Sequence, residues 1–133
     1  MVEPRNGLDK AEKLKSSKEI DALFAMRQTF AVAQVRVFYS IEQLPDNIVE
    51  IKAGFSCSKK HFRRAVHRNR AKRLMREAYR TQKHSLWDAA QNNNKSLHVF
   101  FLFNRNELIS YIEMQSTFVV ILQKLEKLLS KNN

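Results

Sequence analysis

Glycine is almost missing from this chain of 133 residues, which has only Gly7 and Gly54. A loop that wraps phosphate closely needs several glycines together, so neither a P-loop nor a dinucleotide-binding turn is present. The single cysteine, Cys57, excludes an internal disulfide and reads as a small buried residue in a chain with no need of an oxidising compartment. Four histidines are scattered without metal-ligand spacing to Cys57. No serine stands in a nucleophile-elbow context, and no acidic pair is placed as a metal dyad. Nothing approaches the ~18 uncharged apolar residues of a membrane span. Residues 1–18 lack the apolar core of a secretory signal. The expectation is a cytoplasmic protein with no membrane partner and no small-molecule substrate. It carries no metal, cofactor or catalytic site of its own.

Acid is the other absence, and it is local. Between Lys59 and Lys83 stand eleven Lys or Arg and one acid, Glu77. That window holds +10 of the chain's net +11, and the rest is close to neutral. A positive field focused on one element is a device for binding a polyanion. The length suits one domain, and a hydrophobic fraction of 44% is enough for a core without staples.

Ser17-Lys18-Glu19-Ile20 opens a short helical pattern, with Ile20, Leu23 and Phe24 on one face. From Phe30 to Tyr39 the period changes to two. Ala33, Val35, Val37 and Tyr39 share one face, and Gln34, Arg36 and Phe38 the other, as in a half-buried strand. Pro45-Asp46-Asn47 signals a turn. A second alternating run, Val49 to Phe55, is expected to pair antiparallel with the first. From Val66 to about Gln82 a helix is expected, with Ala71, Leu74, Met75 and Ala78 on its apolar arc. Arg68, Asn69, Lys72, Arg73, Arg76 and Arg80 lie opposite. Gln91 to Ser96 reads as a polar break. Leu97 to Phe103 reads as an interior strand, parallel to the second by its strand-helix-strand order. Glu107 to Leu129 has helical spacing, with Tyr111, Phe118, Leu122, Leu125 and Leu129 on one stripe. Residues 1–13 and 130–133 are expected to be flexible ends of a single domain.

The cationic arc has a cost that argues for use. Arg68, Lys72 and Arg76 are successive i, i+4 neighbours, and each like-charge pair destabilises a helix by a few tenths of a kcal/mol. A surface serving stability alone would interleave acids. Arg and Lys neutralise phosphates and release counterions, and the guanidinium fork bridges phosphate oxygens.

The run Gly54-Phe55-Ser56-Cys57-Ser58-Lys59-Lys60, followed by Ala65-Val66-His67-Arg68-Asn69-Arg70-Ala71-Lys72-Arg73-Leu74-Met75-Arg76-Glu77, resembles the signature of the bacterial ribonuclease P protein component. Leu14-Lys15, Glu19-Ile20 and Leu23-Phe24 resemble that family's first helix. His61-Phe62-Arg63-Arg64 stands where the family commonly has a glycine, one residue longer. The resemblance implies an α+β fold: a two-layer α/β sandwich with a small mixed sheet of about four strands, an N-terminal helix and a C-terminal helix. The basic helix would lie in a left-handed βαβ crossover, against the usual hand. It also implies a ribonucleoprotein in which a catalytic RNA, with Mg²⁺ held mainly by RNA, removes the 5′ leader from precursor tRNA. The partners would be ribonuclease P RNA and precursor tRNA.

Carried to this chain, the resemblance assigns Lys59, Lys60, Arg64, Arg68, Asn69, Arg70, Lys72, Arg73 and Arg76 to the catalytic RNA. Asn69 has a local backbone cap as its alternative role, and Arg70, nearer the apolar boundary, a structural one. Phe24, Arg36, Lys52 and an aromatic at the strand end would line a leader cleft, where stacking on rings tolerates varied sequence. Alternation favours Phe38 as that aromatic and alignment favours Tyr39, so both are carried. Trp87, Phe100, Phe101 and Phe103 read as core. Two other readings stand beside this one: a stand-alone RNA-binding protein, such as a ribosomal protein or RNA chaperone, and a DNA binder. The DNA binder is the weaker, since no helix-turn-helix pairing or dimer heptads appear.

Overall fold

The computed structural model describes residues 17–26, 28–57, 64–105 and 107–131. Helix α1 (Ser17–Met26) leads into strands β1 (Thr29–Val32) and β2 (Val35–Glu42). A 3₁₀ turn, Pro45–Asn47, precedes β3 (Ile51–Cys57). Helices α2 (Ala65–Arg80) and α3 (Lys83–Asn93) follow, then β4 (Ser96–Phe103) and α4 (Tyr111–Ser130). The sheet order is β1-β2-β4-β3, with β3 parallel to β4 and the other pairs antiparallel.

Strand β4 is the middle of the structure. Leu97, Val99, Phe101 and Phe103 point to one face and are fully buried. There they meet Val35 and Val37 of β2, Ile51 and Ala53 of β3, and the apolar faces of α2 and α4. Helix α3 packs on α4, adding Leu86 and Ala90 to the same core, with Trp87 half-buried against it. Phe101 is the ring at its centre: its centroid lies 4.9 Å from Phe118, 5.3 Å from Phe55 and 5.7 Å from Tyr79. On the other face a smaller cluster joins Leu23 and Ile20 of α1 to Phe38 and Phe100.

Three expectations need correction. The run Phe30–Tyr39 is a hairpin, not one strand. Val32 pairs with Val35, leaving a two-residue turn in which Ala33 takes φ 50°. Alanine in the left-handed region is uncommon, and no Gly or Asn announces the turn. The strands β2 and β3 do not pair either: β4 lies between them and bonds to both. Finally, the crossover carries two helices. The segment expected to break at Gln91 stays helical to Asn93, and Asn94 ends it with φ 55°. Asparagine tolerates that conformation as a helix stop. Its Nδ2 also donates to Oδ1 of Asn47 at 2.7 Å, tying the turn before β3 to the turn before β4.

The parallel pairing of β3 with β4 and the interior position of β4 are as expected. So is the C-terminal stripe: Phe118, Leu122, Leu125 and Leu129 are buried. The helix itself begins at Tyr111, because Ser110 caps it by accepting from the Glu113 amide at 3.1 Å. Ser130 is the last residue of α4, its hydroxyl donating to the Glu126 carbonyl at 2.9 Å, and Lys131 follows as the C-cap. Residues 1–13 and 132–133 lie outside the described residues.

Truncating Phe101 to alanine removes the ring that three others pack against. It is expected to lower unfolding stability by ~3–5 kcal/mol, measured by urea denaturation followed by circular dichroism.

Candidate nucleic-acid interface

Helix α2 is anchored by Ala71, Met75, Ala78 and Tyr79, all buried against β3 and α4. Their spacing turns the intervening cations outward. Arg64, Asn69, Arg70, Arg73 and Arg76 are exposed, and Arg68, Lys72 and Arg80 are half-exposed. From Arg68 to Arg76 the face runs ~12 Å at ~1.5 Å per residue. Arg64 is the N-cap, in extended backbone with no side-chain cap, and the first turn has no acid. Asn69 is in the second turn of α2, past any capping position, so a cap is not its role. Arg70 is exposed as well, although it is one turn from Leu74 at the apolar boundary. Lys59 and Lys60 lie outside the described residues.

The one acid of α2 is engaged within the helix. Arg80 donates from Nη2 to Glu77 Oε2 at 2.6 Å, an i, i+3 ion pair. That hydrogen bond, with the nearby charges of Arg80 and Arg73, holds the Glu77 carboxyl below its ordinary range despite slight desolvation. Glu77 therefore stays ionised and offsets Arg80, leaving the outward arc almost wholly cationic.

The second surface is the sheet face under α1. The strand register sets Arg36 beside Leu102 and Ser56, Phe38 beside Phe100 and Gly54, and Ser40 beside His98 and Lys52. Arg36 and Lys52 thus stand at opposite corners of a patch whose middle row holds two aromatic rings. From strand rise and spacing the two cations' backbones are about 16 Å apart. Leu23 and Ile20 press on the rings from α1, with Phe100 buried and Phe38 partly open. At the Lys52 corner His98 Nε2 lies 3.5 Å from Glu50 Oε1. Phe24 is in α1, and its side chain is outside the described residues.

Tyr39 belongs to neither surface. Its parity in β2 turns it to the α4 side, where its ring lies 5.9 Å from that of Phe30. Of the two aromatics carried for the strand end, Phe38 shares a face with Arg36 and Lys52. Phe100 is buried as expected, but in the smaller cluster under α1 beside Phe38 and not in the main core. Its parity with His98, and not with Phe101, sets that face.

These two surfaces can be set beside known proteins. Residues 8–132 match the family "Ribonuclease P". The ribonuclease P protein component of Porphyromonas gingivalis strain W83 is 39% identical over 105 residues, covering 79% of this chain and 76% of that one. The chain belongs to the ribonuclease P protein family. The counterpart from Chlorobaculum tepidum is 31% identical over 117 residues, 81% of this chain and 75% of its own. The Staphylococcus aureus ribonuclease P protein structure shares the fold. It superposes with a TM-score of 0.67 at 20% identity, covering 86% of this chain and 95% of that one. As a ribonuclease P protein component the chain is one part of a tRNA-processing ribonucleoprotein, and a stand-alone module is not favoured.

The Glu77–Arg80 pair gives a signed pH expectation. A carboxyl with a depressed folded pKa stabilises above its unfolded value, near 4.5, and loses that contribution as pH falls through the folded value. The pair is exposed, so Glu77→Gln is expected to cost at most a few tenths of a kcal/mol at neutral pH. The difference from wild type should vanish well below pH 4, as read from urea midpoints across pH. The same variant adds one net positive charge to α2 and is expected to tighten RNA binding at low salt.

Proposed function

We propose that this chain assists a catalytic RNA in removing the 5′ leader of precursor tRNA, holding the RNA with α2 and the leader with the α1 face of the sheet. The observation that carries this reading is the separation of two cationic surfaces on one rigid framework. They differ in chemistry, and β3 feeds both. Arg64, Arg68, Asn69, Arg70, Lys72, Arg73 and Arg76 form a nearly acid-free arc, suited to a fixed fold of phosphates. Arg36, Phe38 and Lys52 pair a half-buried ring with two separated cations, suited to a single strand of varied sequence.

In this reading the protein does no bond-making. Its cations neutralise phosphates that would otherwise repel, so substrate and catalytic RNA approach at lower Mg²⁺. The half-buried ring of Phe38 stacks a leader base, and Arg36 and Lys52 hold phosphates on either side. Among the described residues no three His, Cys, Asp or Glu side chains converge into a metal cage. A divalent ion is also repelled by the α2 arc, so Mg²⁺ is assigned to RNA phosphates. Among the described residues no helix is long and apolar enough to cross a membrane, and we place the complex in the cytoplasm, with its tRNA substrate.

Single-turnover cleavage of a precursor tRNA by a bacterial ribonuclease P RNA at low Mg²⁺ tests the reading. Wild type is expected to stimulate cleavage. Arg68→Ala/Arg73→Ala should lose the stimulation while keeping its fold, with a salt dependence of RNA binding shallower by roughly 0.7–0.9 per phosphate contact removed. Phe38→Ala should weaken binding of leader-bearing precursor but not of mature tRNA, by ~1–3 kcal/mol if one base stacks there. Cleavage by the protein without RNA would overturn the division of labour.

A further inference from the structure

Tyr39 opens onto a second feature that neither surface uses. Between the end of β2 and the last turns of α4 is a cleft of about 390 Å³, lined by Gln28, Tyr39, Ile41, Glu42, Lys95 and Lys131, among others. That volume is in the range of small-ligand sites. Lys95 reaches across it, its ammonium donating to the backbone carbonyl of Lys131. An ammonium has three donors, so two remain. Next along the same side, the Phe30 ring lies 5.9 Å from Tyr39, and Lys124 Nζ sits 5.5 Å over the Phe30 ring. Both rings are only partly buried.

The order along this side is therefore cation, ring, ring, cation: Lys124, Phe30, Tyr39, then Lys131 with Lys95. On the helical wheel Lys124, Lys127 and Lys131 fall within ~60° of one another on the exposed side of α4. The intervening Glu126 faces α3, lining a separate hollow with Ala89, Lys127 and Lys131, where burial and then the charge of Asp88 raise its pKa. From Lys124 to Lys131 the helix rises ~10 Å, about three stacked nucleotides at ~3.4 Å each. Lysines in a last helical turn also suit the helix dipole. That accounts for Lys127 and Lys131, but not for Lys95 or for two half-open rings beside them.

We propose that the β1–β2 hairpin and the C-terminal half of α4 form a second single-stranded RNA track, on the opposite side of the sheet from the α1 face. Tyr39 and Phe30 offer ring surface to bases, Lys124, Lys131 and Lys95 bind phosphates, and Gln28 offers an amide to a base edge. Glu42 is the one carboxylate lining the cleft and opposes an anion there.

The test is anisotropy of a fluorescent oligouridylate of about eight nucleotides (longer than the ~10 Å track) with the full chain across a salt series. Lys124→Ala/Lys131→Ala is expected to weaken binding and flatten the salt slope by about 1.4, at ~0.7 per single-strand phosphate. Both substitutions are on the surface, and a thermal melt checks the fold. Glu42→Gln should tighten binding, a gain that misfolding cannot imitate. The Lys124→Ala/Lys131→Ala loss should be the same size in an Arg36→Ala/Phe38→Ala background, which separates this track from the leader surface. An unchanged affinity and slope in the lysine variant, or no gain in Glu42→Gln, would overturn the proposal. The RNA's source is read by photo-cross-linking of the assembled complex, with 4-thiouridine in either the precursor tRNA or the catalytic RNA. A cross-link mapped by fragmentation to Phe30 or Tyr39 itself, and not to the adjacent Phe38, from one of them identifies the strand, and a cross-link to these two residues from neither also overturns the proposal.

Discussion

Everything in this fold depends on β4 being buried on both sides. It bonds antiparallel to β2 and parallel to β3, so it sets the register of both. Its alternate residues then divide the molecule. Leu97, Val99, Phe101 and Phe103 hold α2 and α4, while Phe100 holds α1. A slip of one residue would exchange these sets and turn His98 into the main core. The Ser96 hydroxyl helps fix the register, accepting from the Glu50 amide at 2.9 Å. The Leu97 amide donates to the Glu50 carbonyl at 2.9 Å. The positions of Arg36 and Phe38 on β2 and of Lys52 on β3 follow from that one strand.

The basic helix is a harder problem than the sheet. An arc of like charges destabilises itself, and α2 has neither a side-chain N-cap nor an acid in its first turn to offset this. What holds it is tertiary: Ala71, Met75, Ala78 and Tyr79 are fully buried. Two of these four are alanines, which bring the helix close to its neighbours and leave the larger rings of Phe55, Phe101 and Tyr79 to fill the space. Stability comes from one side of the helix, and the other side carries the charge. Binding RNA would remove the repulsion, so complex formation relieves a strain that the free protein retains.

Much of this was legible in the sequence where one physical signal dominated. The amphipathic basic helix, the interior strand and the C-terminal stripe each have strong periodicity. The hairpin was not legible, because Ala33 adopts its left-handed conformation without a glycine or asparagine to mark it. The phase of the alternation does shift, from Phe30 and Val32 in β1 to Val35, Val37 and Tyr39 in β2, but a single-strand reading that starts its core face at Ala33 passes over that shift. Helix α3 was missed because its polar end, Asn92-Asn93-Asn94, resembles a loop, although only Asn94 leaves the helix. Strand order was the deepest miss. Sequential strands pair more often than not, and nothing local in β2 or β3 says that a strand some forty residues later will lie between them. At the site, the parity of Phe38 put it on the sheet face that Arg36 and Lys52 share, while Tyr39 turns to the α4 side.

The choice between Phe38 and Tyr39 shows why neighbouring residues on a strand serve different ends. They are adjacent in sequence, yet the sheet separates their side chains onto opposite layers. Phe38 joins Arg36 and, through β4, Lys52 on β3. Tyr39 joins Phe30 and, through it, Lys124 on α4. Both sides of β2 are partly open, since Arg36 and Phe38 on one side and Tyr39 on the other are only half-buried. An RNA-binding chain that concentrates its charge on one helix still presents ring-and-cation pairs on both faces of this strand. A strand of RNA following either face would meet the same alternation of ring surface and positive charge, so in both proposals it is the pleat of β2, more than the composition of any one patch, that sorts the contacts.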